Sequence, residues 1–350
     1  MDRSGCTEPD GRTTMPTPIG SLEELGYTTL TRERACRLAA SSEFGAHYLD
    51  LILTGACNQR CAYCKFPFAR RELDPLAALA IVDALVPRGL RFVHLTGGEA
   101  TLCEQLPLVI SALRRRGIRT LLTTNGTAPL ALYSACILAG LDEVNVSFDG
   151  PHLPVPRERP CDVDHVRRLV DMAIDADRVV RINLTLTERS APHFAENVRA
   201  LAAWGVSDIK PVTAVSPGVD LARVGAILSP LVAALQDVPL PIFRFRLPRL
   251  AGDGFRGLPP EAPRRCHLLR DDLCADSEGF YPCMIHMRER GRRICAAGDL
   301  RDLDRARREF FADFSPPSDP ICRTQCPDFM SRFNVAVEDE RRRVGSRVAP

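Results

Sequence analysis

Residues 48–64 read YLDLILTGACNQRCAYC: an apolar run, a Gly-Ala step, and three thiols at positions 57, 61 and 64. The first seven residues are rich in β-favouring types, and residues 50–54 are largely apolar, which predicts a strand over 48–54. The chain leaves that strand at Gly55, so the thiols belong to the loop that follows it. Zinc knuckles use pairs of cysteines at the 61–64 spacing, and zinc takes four ligands, with no fourth nearby. Three thiolates alternatively hold three corners of a four-iron cluster and leave one iron open. What this loop binds decides what the chain does.

Working outward, helical and strand periodicities alternate. Helices are predicted over 75–85, 106–116, 130–139, 163–176 and 194–204, and further strands over 92–96, 118–123, 143–147, 179–187 and 208–212. Six strands alternating with helices imply parallel pairing, right-handed crossovers and a site at the strands' C-terminal ends. The unusual stretches fall there: the thiol loop, TGGE at 96–99, TTNG at 123–126 and SFDG at 147–150. A doubly wound nucleotide fold alternates in the same way, but it opens with a glycine-rich turn where this chain places cysteines. As local structure, Asn-Gly favours a turn by itself, and Ser147 and Asp149 suit helix caps. Their shared place at strand ends is what points to a site.

Composition bounds the rest. With 350 residues, 45% hydrophobic and 26% charged, the chain is long and apolar enough for a large core. Its 46 basic and 44 acidic residues nearly cancel, so no whole-chain field draws it to nucleic acid or an anionic membrane. Residues 1–20 read as a disordered leader without an apolar signal segment, and 31–42 as a short helix. A cytoplasmic protein is expected, in which 14 cysteines point to metal binding rather than disulfides.

Residues 48–212 resemble the core of the radical S-adenosylmethionine (SAM) enzymes, through the CxxxCxxC loop, TGGE, TTNG and NVSFD. The resemblance implies an α/β fold, a partial (β/α)6 TIM-like barrel, with a [4Fe-4S] cluster whose open iron chelates SAM. Reduction then yields a 5′-deoxyadenosyl radical that abstracts hydrogen from a substrate. It further implies Cys57, Cys61 and Cys64 as cluster ligands and Tyr63 beside the adenine. Gly97, Gly98 and Glu99 would meet the methionine end, with Thr124, Asn125, Ser147, Asp149 and Asn183 along the ribose and carboxylate.

The C-terminal part carries Cys266, Cys283, Cys322 and Cys326, separated by sixteen, thirty-eight and three residues. This resembles the Twitch extension of radical SAM enzymes, a truncated SPASM domain that holds an auxiliary [4Fe-4S] cluster. Cys274 and Cys295 are spare thiols able to substitute as ligands, and Cys6, Cys36, Cys103, Cys136 and Cys161 are expected to be unliganded. The expected division is 1–47 for leader and helix, 48–238 for the barrel and 239–350 for the extension. FRFRLPR, 243–249, reads as a strand with Arg244 and Arg246 on one face. With Arg249 these are the candidate catalytic side chains, placed to polarise a substrate oxygen. His267 and His286 flank expected ligands and suit a supporting role.

The resemblance leads to an oxidoreductase expectation: dehydrogenation or a related redox modification of a sugar, aminocyclitol or nucleoside-like small molecule in natural-product biosynthesis. An external donor such as flavodoxin or ferredoxin would supply electrons. A peptide-modifying enzyme is a second reading, disfavoured because only 47 residues precede the first strand. A molybdopterin-pathway GTP cyclase is the third. It ranks last because Asp50 and His94 stand where that family has triphosphate-binding arginines, Cys266 lacks a close partner, and the chain ends Val-Ala-Pro instead of Gly-Gly.

Overall fold

A computed structural model describes residues 22, 26–66, 71–154, 157–214, 220–252, 257–258, 262–298 and 300–348. The expected leader and Cys6 lie outside them.

The six strands form as expected: β1 (Tyr48–Thr54), β2 (Phe92–Gly97), β3 (Arg119–Thr124), β4 (Glu143–Ser147), β5 (Val179–Leu186) and β6 (Asp208–Thr213). Each pairs in parallel with the next. Helices α1 (Arg32–Ala40), α2 (Pro75–Leu85), α3 (Leu106–Arg115), α4 (Leu130–Ala139), α5 (Val163–Asp175) and α6 (Phe194–Ala203) complete the expected set. Leu49, Leu51 and Leu53 of β1 are buried in the hydrophobic core, at about 1.5–3 kcal/mol each. The alternate positions Tyr48 and Asp50 stay partly accessible on the other face.

The chain continues through α7 (Leu221–Leu228), α8 (Leu231–Ala234) and α9 (Pro241–Ala251). Here one expectation is corrected: 243–249 is helical, not a strand. Pro241 suits a first helical turn, and Ile242, Phe243, Phe245, Arg246, Leu247 and Leu250 are buried on the helix. Arg244 and Arg246 do not share a face: Arg244 is exposed and Arg246 buried, while the guanidinium of Arg249 lies 4.0 Å from the Phe245 ring centre.

The extension adds β7 (Asp272–Ala275), β8 (Gly279–Tyr281) and β9 (Cys295–Ala296) with α10 (Met284–Arg288), α11 (Leu303–Asp313), α12 (Pro320–Gln325) and α13 (Asp328–Val348). Strand β7 runs parallel to β1, with Cys274 opposite Asp50, while β8 and β9 are antiparallel. One nine-stranded sheet therefore crosses the boundary expected near residue 239, in the order β6-β5-β4-β3-β2-β1-β7-β8-β9.

Helix α1 ties the two parts together. Arg34, 1% exposed, donates from Nε to Asp271 at 2.8 Å and from Nη2 to Asp272. Arg307 of α11 donates to the Gly45 carbonyl at 2.6 Å and the Leu269 carbonyl at 3.0 Å.

Candidate active site

A cavity of about 360 Å³ opens at the C-terminal ends of β1 to β6. Cys57, Cys61, Tyr63 and Cys64 line it, together with Gly97, Gly98, Glu99, Thr124, Asn125, Ser147 and Asn183. The sequence-expected residues thus meet at one mouth. Asp149 stands behind them and engages Tyr63 and Arg159.

Two glycines let the β2 loop press on the thiol loop. Gly97 sits at φ +145°, and a Cβ there would lie 2.2 Å from the Thr54 carbonyl oxygen; at Gly98 one would lie 2.2 Å from that of Ala56. No side chain fits either place. Glu99, 1% exposed, ties loops rather than offering its carboxylate to solvent. Its Oε1 accepts from the Thr101 and Thr124 hydroxyls at 2.7 and 2.8 Å, and its Oε2 from the Asn125 N–H at 2.6 Å. Asn125 then reaches Asn58 of the thiol loop at 2.8 Å. Asp162, not Ser147 or Asp149, caps α5, which removes the plain capping explanation for SFDG.

Tyr63 donates its hydroxyl to Asp149, and Arg159 donates to that hydroxyl at 3.0 Å and to Asp149 at 3.3 Å. Burial pushes the Tyr63 phenol up, and Asp149 adds to the rise. Burial alone would lower Arg159, but the Asp149 carboxylate beside it holds it raised, so it stays charged. Nothing in the sequence singled out Arg159; ten residues beyond Asp149, it is placed only by the fold.

Deeper in, Asp50, His94 and Thr123 form a hydrogen-bonded line across β1, β2 and β3. His94 Nδ1 lies 2.7 Å from Asp50 Oδ1 and Nε2 lies 2.7 Å from Thr123 Oγ1. His94 and Thr123 line the cavity. From the extension, Met284 and Arg288 also reach it.

The second thiol set converges as well. Cys322 feels the charges of Cys326, Cys283 and Cys266, and Cys283 that of Cys266. Burial pushes the Cys283 thiol up to about 12, and Cys322 is raised for the same reason. Asp319 caps α12 by accepting from the Cys322 N–H at 2.8 Å, and Asn334 of α13 donates to Cys266 Sγ at 3.6 Å. His286 Nε2 lies 3.6 Å from Cys322 Sγ, and His267 contacts Glu338. Cys274 is buried, and Asp50 and Cys283 both act on it electrostatically.

The spacing of both sets bears on what they hold. A single zinc ion, with Zn–S bonds of ~2.3 Å, draws its sulfurs to within ~4 Å of one another. No three of the seven expected thiol ligands lie within 4.8 Å of one another; among the described residues the group that tight is His286, Asp319 and Cys322. Wider sets of thiols suit a cluster, and cationic iron would offset the burial that keeps them protonated.

The three candidate arginines do not line the cavity. Arg246, 5% exposed, donates to the Tyr27 hydroxyl and to the Pro211 carbonyl at 3.2 Å. Arg249 donates to the Phe245 carbonyl at 2.7 Å.

Residues 51–189 match the model of the radical SAM superfamily. Over these residues the chain carries a radical SAM domain. It is similar in fold to SuiB of Streptococcus suis bound to S-adenosylmethionine, with a TM-score of 0.59 at 14% identity, covering 77% of this chain and 68% of SuiB. Native anSMEcpe with bound AdoMet gives 0.59 at 14%, covering 86% of this chain and all of that one. Its cofactors are accordingly a [4Fe-4S] cluster and SAM.

Among curated proteins, a GTP 3′,8-cyclase of Chlorobaculum tepidum is 36% identical over 127 residues, 34% of this chain and 38% of that protein. A probable GTP 3′,8-cyclase of Sulfolobus acidocaldarius is 29% identical over 170 residues, 46% and 54%. The matched segments span about half or less of these relatives. Human molybdenum cofactor biosynthesis protein 1 is 34% identical over 131 residues.

These relatives overturn the expected redox modification of a sugar or aminocyclitol, because the first two are named for cyclisation of a nucleotide. One of the three grounds for ranking a nucleotide cyclase last is Asp50, as an acid that would repel a phosphate. In the structure that carboxylate is engaged by His94 and by Tyr48, so it bears on a phosphate only at the His94–Thr123 end of the cavity.

Proposed function

We propose that this chain is a radical SAM enzyme of the GTP 3′,8-cyclase type, which breaks a C–H bond of a purine nucleotide and joins two carbons of the same molecule. The observation that supports it is the 36% identity over 127 residues to a GTP 3′,8-cyclase. Among the described residues no helix is long and apolar enough to cross a membrane.

Cys57, Cys61 and Cys64 would hold the cluster, and Gly97, Gly98, Thr124, Asn125, Ser147 and Asn183 would bind SAM, with Asp149 acting through Tyr63 and Arg159. When bound, cluster and SAM supply a primary carbon radical able to take a hydrogen atom from an unactivated carbon. The protein orients that carbon and excludes water. Arg159, fixed by Asp149 and stacked 5.6 Å over the Tyr63 ring centre, holds the aromatic side chain in place for the adenine. Cys266, Cys283, Cys322 and Cys326 would carry an auxiliary cluster in a Twitch-like extension, beside the cavity that Arg288 and Met284 close.

The test is anaerobic turnover with GTP carrying deuterium at ribose C3′. Deuterium in 5′-deoxyadenosine, with a product isomeric with GTP, is expected. SAM cleavage that takes no deuterium from any purine nucleotide overturns the proposal.

A further inference from the structure

The charge distribution of the cavity is not uniform, and this gives a direction to the substrate; the inference rests on the nucleotide reading above. At the inner end lies the Asp50–His94–Thr123 line. In the neutral imidazole, Asp50 accepts from Nδ1–H of His94, which leaves Nε2 as an acceptor for the Thr123 hydroxyl. With its hydrogen committed to the imidazole, the Thr123 oxygen presents lone pairs to the cavity, and a carboxylate stands behind them. Such a surface takes an O–H or N–H donor. A phosphate, which offers oxygens and negative charge, meets only acceptors there.

The outer end has the opposite character. Lys65, directly after the thiol loop, and Arg288 of the extension both line the cavity, and both pair with one carboxylate. Lys65 Nζ lies 3.6 Å from Glu289 and Arg288 Nη2 lies 3.3 Å from it. Two cations share one anion, so one positive charge is unmatched. The other lining cation, Arg159, is matched by Asp149 at 3.3 Å. Lys210 of β6 is not in the lining; Asn145 holds its Nζ at 2.8 Å, and burial drives it well below its ordinary value.

The geometry points to a fixed polarity of binding: the nucleoside portion enters first and donates a hydrogen bond to the Thr123 oxygen, which His94 orients, while the phosphates stay at the rim on Lys65 and Arg288. Thr123 is then a specificity residue, and His94 and Asp50 are positioning residues that act through its hydroxyl.

A crossed binding experiment decides it. Reconstituted full-length protein loaded with SAM is titrated anaerobically with guanosine and with GTP. Thr123→Val weakens both ligands by the same factor, about tenfold, because each loses the same inner contact. Lys65→Gln with Arg288→Gln weakens GTP about tenfold and leaves guanosine unchanged. Asp50→Asn repeats the Thr123→Val pattern, and retained SAM binding shows that each variant keeps an intact core. The reverse pattern, with the inner variants affecting GTP alone or the rim variants affecting guanosine equally, overturns the polarity while leaving the nucleotide reading in place. Wild-type protein that binds neither ligand overturns both.

Discussion

The two thiol sets reach similar ends by opposite means. Cys57, Cys61 and Cys64 lie within eight residues on one loop, and local spacing brings them together once β1 places that loop at the sheet's end. Cys266, Cys283, Cys322 and Cys326 span sixty-one residues and meet only because β7 to β9, α10 and α12 fold against the barrel edge. The first set is three thiols facing a cavity; the second is four, of which burial raises Cys266, Cys283 and Cys322. Three thiols leave a cluster corner for a cofactor, whereas four can close it.

The comparison breaks most decisively if the sets are interchangeable. Cys61→Ala is expected to remove about four irons per chain and abolish SAM cleavage, whereas Cys283→Ser removes a similar amount of iron and leaves SAM cleavage uncoupled from substrate. Iron analysis with 5′-deoxyadenosine quantification separates them. Equal loss of cleavage in both would erase the distinction.

A second test asks how firmly the extension is held. Arg34→Met leaves Asp272 without its cation and Asp271 with Arg37 alone, and should cost about 3 kcal/mol in urea denaturation. A loss below about 1 kcal/mol, the value of an exposed pair, would mean that α1 does not anchor the second set's scaffold.

The smallest effect concerns pH. Burial, with Arg34 nearby, lowers His47 from 6.5 to about 4, at the junction where its N–H donates to the Asp271 carbonyl at 2.6 Å. The unfolded chain binds this proton near 6.5 and the folded chain only near 4. Its contribution to stability is therefore complete above 6.5 and declines as pH falls toward 4. Urea midpoints of wild type and His47→Phe should converge as pH is lowered from 7.5 to about 5.5. A difference independent of pH would mean that His47 is solvated.

Much of the barrel was legible because each strand and helix carries its own period, and each loop its own turn chemistry. TGGE and TTNG could be placed for the same reason. The sequence misled at 243–249, where arginines two apart imitate a strand although on the helix Arg244 is exposed and Arg246 buried. Strand β7 has only four residues, and its pairing with β1 is a tertiary fact. Asp50 shows the same limit at the site: read alone it is a repulsive acid, and only the register that sets it against His94 reveals an engaged carboxylate. Arg159 and Arg288 carry no local signal, since each is one arginine among many.

The central claim is that the 57–64 loop holds a four-iron cluster with one corner open to SAM. Electron paramagnetic resonance of the reduced chain with Cys266, Cys283, Cys322 and Cys326 all replaced by serine tests it most directly. The account predicts a single [4Fe-4S]⁺ signal whose g values shift when SAM is added. A signal indifferent to SAM, or a colourless protein with stoichiometric zinc on the loop, would contradict it.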